Sequence, residues 1–267
     1  MVKKLFKHEF KYYFKSYIIF LPFLIVISLF IRLLDLFPDK YWFVEMTKSL
    51  AYAALALGWV VCFLLALILS LVRYYKNLFT QEGYLTFTLP VTNQQLLFVK
   101  VVTSLTCLAL SIVTIIISAL IAFATVYDIS NFFTVLHDTF FSDNVFVGIL
   151  SLILFIIAFI IVGIYYILLY FGCITVGQTS RKNRIMMAIG VYFVYYFATQ
   201  VLSLILIFIL GILSEFGLFG FLGPILYANP VNILIIIPTT IIIIYGGLST
   251  AFYFIIMKIL NNKLNLE

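Results

Sequence analysis

The chain has 267 residues, of which 65% are hydrophobic and 10% charged, with a mean hydropathy of +1.23 and a formal net charge of +6. A soluble domain of this length is about half apolar and a quarter charged, and this composition lacks the polar side chains that a globule's surface requires. A water-soluble fold is therefore excluded and a single all-α membrane domain is expected. Its basic residues lie at the ends of apolar stretches, where they mark topology and meet anionic lipid, which argues against a nucleic-acid partner.

At the start of the chain Phe6, Phe10, Tyr13, Phe14 and Tyr17 recur at helical spacing, with Lys3, Lys7, Lys11 and Lys15 between them. This pattern predicts a basic amphipathic helix over residues 1–16, lying in the plane of the membrane interface. The apolar run that follows, Tyr17 to Ile31, is long for a signal-peptide core and no small-residue cleavage site succeeds it. It is read as a first membrane helix. A span needs about 20 mostly apolar residues, and six stretches qualify: Tyr17 to Leu36, Ser49 to Val72, Val101 to Val126, Val145 to Val176, Ile185 to Leu213 and Val231 to Met257. The fourth exceeds a perpendicular crossing, so it must tilt or emerge as a helix. Pro22 and Pro238 fall within the first and last spans, where proline permits a kink.

Charge in the flanks orients these spans. Thirteen of the sixteen Lys and Arg fall on one side: those of residues 3–15, Arg73, Lys76 and Lys100, Arg181, Lys182 and Arg184, and Lys258 and Lys263. Arg32, Lys40 and Lys48 fall on the other, together with Asp128, Asp138, Asp143 and Glu215. The basic side is cytoplasmic by the positive-inside rule, so both ends are expected in the cytoplasm.

The connection between the second and third stretches, Arg73 to Lys100, is the longest on that side. Arg73 to Thr80 is expected to continue the preceding helix, and Glu82-Gly83 to end it, because glycine accepts the left-handed conformation of a C-cap. Pro90 stops any helix and holds Leu89 extended. Thr92, with Gln95 three residues on, has the form of a capping box that opens the next helix. The outcome is helix, turn, helix, with Tyr84, Leu85 and Phe87 at the tip. Such an apolar tip reads as a docking element for a soluble partner, or else as a knob folded against its own helices. Tyr127 to Asn144 reads as a polar outer loop. Ser214 to Pro230 is apolar but broken by Gly217, Gly220, Gly223 and Pro224, so it reads either as a re-entrant outer segment or as a plain hydrophobic loop.

Few polar residues interrupt the spans. Arg32 and Asp35, three apart on one helical face, are expected to pair with each other or to reach the headgroups. Gln200 suits interhelical hydrogen bonding. Tyr165, Tyr166, Tyr170, Tyr192, Tyr195 and Tyr196 form aromatic belts. Arg32, Asp35, Gln200, Tyr195 and Tyr196 are the alternative candidates for a substrate path. Cys62, Cys107 and Cys173 lie in apolar runs without metal-ligand spacing and read as buried small residues. The two histidines, His8 and His137, form no HExxH, and there is no GxSxG or phosphate loop, so neither an enzyme nor a self-powered pump is expected. No chain of carboxylates crosses the spans, which argues against an ion-driven carrier.

The EGYLTFTLPV stretch at residues 82–91 and the ending FYFIIMKILNNKLNLE resemble the permease subunits of bacterial ATP-binding-cassette (ABC) transporters of the type-two exporter class. The resemblance extends over the chain, through the basic start, the six spans and the broken segment between the fifth and sixth. It implies that residues 3–15 are a connecting helix and that residues 82–90 are a coupling element docked on an ATPase subunit. Glu82, Gly83, Tyr84, Leu85, Thr86, Phe87 and Pro90 would make that contact. It further implies no cofactor in this chain, ATP and magnesium in a partner ATPase dimer, a second permease copy or related permease, and location in the bacterial cytoplasmic membrane. Export of an amphipathic peptide, drug or lipid is the expected activity. The alternative is a non-transporting scaffold or sensor that docks a soluble partner through the same loop.

Overall fold

A computed structural model describes residues 2–17, 20–37, 42–88, 90–124, 126–141, 145–180, 183–215 and 230–262. These contain nine helices and no strand: α1 (Val2–Tyr17), α2 (Phe20–Leu34), α3 (Trp42–Phe79), α4 (Gln81–Phe87), α5 (Asn93–Phe123), α6 (Val126–Phe141), α7 (Val145–Gly177), α8 (Arg184–Glu215) and α9 (Pro230–Asn262). The all-helical class follows from long apolar runs whose backbone groups must be satisfied within each segment when lipid is the solvent. Five helices, α3, α5, α7, α8 and α9, are long and apolar enough to cross a bilayer, as a multi-pass membrane protein requires. α2 is apolar but has 15 residues, about 22 Å at the rise of an α-helix. Turn bonds from Asp35, Leu36 and Phe37 back to Ile31, Leu33 and Leu34 carry its backbone further.

The chain divides into two compact units, residues 1–133 and 134–267, with the division inside α6. In the first unit α1 packs on α5, and α2, α3 and α5 pack on one another. α2 contributes Leu24, Ser28 and Ile31 at helical spacing. α3 contributes Ala51, Leu55, Cys62, Ala66, Ser70, Tyr74 and Asn77. The facing stripe of α5 is small and hydroxylated: Thr103, Ser104, Cys107, Ser111, Thr114, Ser118 and Ala122. Small residues let helix backbones approach closely where lipid supplies no hydrophobic drive. Their hydroxyls are satisfied locally, Ser111 Oγ by Leu108 O at 2.7 Å and Thr114 Oγ1 by Ser111 O at 2.8 Å. Trp59 Nε1 donates across the seam to Ser118 Oγ at 2.7 Å.

In the second unit α7 packs on α8 and on α9. Tyr165, Leu169 and Cys173 of α7 form the centre, with Tyr192 and Tyr195 of α8 and Tyr245 and Phe252 of α9 against them. Two glycines permit the contacts. A Cβ at Gly172 would lie 3.0 Å from Phe252 Cδ1, and one at Gly177 only 2.7–2.8 Å from Cβ, Cα and N of Ala188.

Three expectations about connections need revision or fall outside these residues. Gly83 does not end the helix that precedes it. α3 runs to Phe79, and Gly83 is a buried residue inside α4, its N–H bonded to Thr80 O at 2.7 Å. The helix breaks earlier, at Thr80, whose hydroxyl bonds Lys76 O at 2.5 Å and so satisfies a terminal carbonyl. Most of Tyr127 to Asn144, read as a polar outer loop, is a helix, Val126–Phe141. That stretch holds neither Gly nor Pro, so its polarity gives no reason for the backbone to leave the helix. The proposed re-entrant segment, Ser214 to Pro230, lies almost wholly outside the described residues.

Candidate functional site

The α3–α5 connection is built as helix, break, short helix, break, helix. α4 holds seven residues, Gln81–Phe87, and packs on α3. Gly83 is buried within α4. Thr86 Oγ1 returns to Glu82 O at 2.9 Å. Pro90 follows, exposed, and Thr92 then opens α5 with a reciprocal cap: Gln95 N donates to Thr92 Oγ1 and Thr92 N donates to Gln95 Oε1, both at 3.3 Å. The capping box is as the sequence predicts. Of the candidate docking residues, Glu82 and Pro90 are exposed, Thr86 is half-buried and Gly83 is buried. For Tyr84, Leu85 and Phe87 only the helical backbone is described.

Beside α4 lies a group that sequence reasoning missed. Glu9, the one acidic residue of α1, is 1% exposed. Its Oε1 accepts from Lys100 Nζ at 2.8 Å and from Asn77 Nδ2 at 2.8 Å, and its Oε2 from Arg73 Nε at 3.2 Å. The Lys100 side chain is 1% exposed and that of Arg73 11%. Arg73 also lies 4.4 Å from the Tyr12 ring centroid and places Nη1 3.6 Å from Glu82 Oε2 on α4. Four helices thus meet at one guanidinium and one carboxylate: α1, α3, α4 and α5. One turn along α1, Tyr13 is 3% exposed, and burial pushes its phenol above the ordinary range.

A buried carboxylate persists only when charged partners and hydrogen bonds replace its water. Glu9 has them from two separate helices, so the cluster pins α1 to the α3–α5 pair. From sequence, Arg73 and Lys100 were counted as topology charges. The available signal was Glu9 itself, a lone acid in a Lys-rich helix whose other polar face is basic. The aromatic residues of α1 also divide. Phe6, Phe10 and Phe14 stack at 6.2 Å intervals along one side, whereas Tyr13 belongs to the core with Leu24 and Cys107.

Of the candidate substrate-path residues, Arg32 and Asp35 belong to the first unit and Tyr195, Tyr196 and Gln200 to the second. Arg32 and Asp35 do not pair with each other. Arg32 Nη2 donates to Ala124 O at 3.2 Å, and Asp35 pairs with Lys48 Nζ at 3.4 Å. Each is thus tied to another helix of the first unit, Arg32 to the C-cap of α5 and Asp35 to α3. Gln200 is exposed on α8. Tyr195 is drawn inward, its hydroxyl 2.6 Å from that of Tyr165 and its ring edge-on to Phe252, while Tyr196 stays exposed and stacks with Tyr192 at 6.5 Å. The three cysteines are buried and none is in a disulfide. His137 and Asp138 are exposed on α6, 3.4 Å apart. Among the described residues no group of His, Cys, Asp and Glu could hold a metal ion. The Glu9 cluster offers a mechanical connection among α1, α3, α4 and α5. No protein-family model matches this chain, and neither a curated protein nor a solved structure matches it.

Proposed function

We propose that this chain is the membrane-spanning permease subunit of an ATP-driven ABC transporter of the type-two exporter class. In this reading it crosses the membrane six times with both ends in the cytoplasm, α2 supplying the first crossing, and a separate ATPase dimer binds α4. A second copy of the chain or a related permease completes the transporter. Movement of the ATPase displaces α4, and the membrane helices rearrange to release an amphipathic substrate outward.

One observation carries the reading. α4 is an independent two-turn helix held between two long apolar helices by a hydroxyl-capped break on one side and a proline and capping box on the other. A simple connection would need none of these devices. A short, defined helix at the end of two long ones is a handle that a soluble partner can grip and move. The basic charges of that flank support a cytoplasmic position.

Two measurements test it. A cysteine introduced at Thr86 should resist a membrane-impermeant thiol reagent in intact cells and react after permeabilisation, the native cysteines being buried. Affinity purification of the full chain should bring an ATPase with it, hydrolysis by that complex should respond to substrate, and a Gly-Ser linker in place of residues 81–88 should abolish the association. Labelling of Thr86→Cys from outside would overturn the orientation. Repeated purification without an ATPase would overturn the permease assignment, and binding without any change in turnover would favour the scaffold.

A further inference from the structure

Arg73 is shared by two carboxylates that belong to different helices. Its Nε donates to Glu9 Oε2 of α1 at 3.2 Å, and its Nη1 lies 3.6 Å from Glu82 Oε2 of α4. We propose that Arg73 is a bridge tying the interfacial helix α1 to α4, so that a displacement of α4 is delivered to α1 as well as along α3. The source of that displacement rests on the permease reading, whereas the tie itself belongs to this chain alone.

The two halves of the bridge differ in strength. On the inner side Glu9 cannot relocate, because Lys100 Nζ and Asn77 Nδ2 hold the same carboxylate at 2.8 Å from α5 and α3. Releasing it would strand Lys100 and Arg73, whose side chains are 1% and 11% exposed, without their carboxylate. On the outer side the Glu82 side chain is 56% exposed, so its contact with Arg73 is weak and exchangeable. A guanidinium suits this task because its donors point in several directions in one plane and serve two acceptors at once, which a lysine ammonium at the end of a flexible stem does less well. The Tyr12 ring, 4.4 Å from the guanidinium carbon, restrains it further. The packing makes the bridge consequential: α1 rests chiefly on α5 and α4 on α3, so Arg73 joins two helices that have different principal supports. The quartet is balanced, two cations against two carboxylates. Removal of Glu82 from it leaves an excess positive charge beside α1.

The test uses the full chain alone in lipid nanodiscs, with spin labels on the exposed positions Lys11→Cys of α1 and Thr88→Cys after α4. Pulsed electron resonance gives the distribution of distances between them. The native chain should give a narrow main distribution and a small separated population. In Glu82→Gln the separated population should rise about two- to fivefold, the range that a partly exposed ion pair supplies, with the thermal midpoint unchanged. Arg73→Lys should broaden the distribution although it keeps the charge, and Glu9→Gln should broaden it most. If Glu9→Gln does not fold, the other two variants decide. Native distributions in both Glu82→Gln and Arg73→Lys would overturn the bridge, whether or not an ATPase is ever found. A broadened distribution in a chain that recruits no ATPase would uphold the bridge and remove the permease reading.

Discussion

Glu9 concentrates more consequence than any other side chain described. Its carboxylate is 2% exposed and neutralises a Lys100 that is 1% exposed and an Arg73 that is 11% exposed. Removing one partner of such a cluster leaves uncompensated buried charge. Glu9→Ala should therefore lower the unfolding free energy by about 3–5 kcal/mol, measured by denaturation in detergent. Adding Lys100→Met should recover part of that loss, because a buried ion pair replaced on both sides by neutral groups costs far less than one broken on one side. Glycines set a second residue-scale limit. At Gly177 a methyl group would meet Cβ, Cα and N of Ala188 within 2.8 Å, and a helix backbone cannot step aside. Gly177→Ala should cost about 1–3 kcal/mol through overpacking. At Gly58 the obstacle is Leu24 Cδ2, at 2.7 Å, the far end of a side chain that can rotate. Gly58→Ala should be the milder of the two in the same assay.

At the scale of elements, α4 exists because the chain on either side of it is stopped. Thr80 closes α3, and Thr92 opens α5 after Pro90. Loss of the α5 cap strips a partner from the first N–H groups of that helix. Thr92→Ala should cost about 1 kcal/mol, with faster hydrogen exchange confined to the first turn of α5 and none in the middle of the helix. The connection was legible in sequence where local chemistry governs it: the capping box and the continuation of α3 past Arg73 are both observed. It was illegible where a glycine had two uses. A glycine after an acid suits a helix end, but glycine is also tolerated within a helix, and Gly83 is a buried residue of α4, which packs on α3. α6 escaped notice for a related reason. The stretch was read only as a polar connection, although nothing in Val126–Phe141 interrupts a helix.

For the molecule as a whole, the parity of crossings tells how α2 lies. Five helices are long and apolar enough to span, and α2 is the shorter sixth. Six crossings place the two ends on the same side, whereas five place them on opposite sides. Reporters that work only in the cytoplasm, fused ahead of α1 and after Glu267, should both be active. Activity at one end alone would show that α2 stays on one face. The charge pattern favours the first outcome, since Lys3 to Lys15 and Lys258 with Lys263 flank the two ends of the apolar region.

Composition and periodicity by themselves determined the apolar solvent, the helical class, the location of the long apolar helices, and the cap that opens α5. These properties depend on local backbone satisfaction and on the length needed to cross lipid, both of which operate on contiguous residues. Only the tertiary structure decided the partners of the charged groups. Arg32 and Asp35, three apart in sequence, go to Ala124 and Lys48 instead of each other, and Glu9 meets Arg73 and Lys100 across 64 and 91 positions. An ion pair in a poorly polar surrounding is set by which helices pack together, and that packing follows from stripes of small residues on α5 and glycines on α7 whose fit cannot be read from one helix alone.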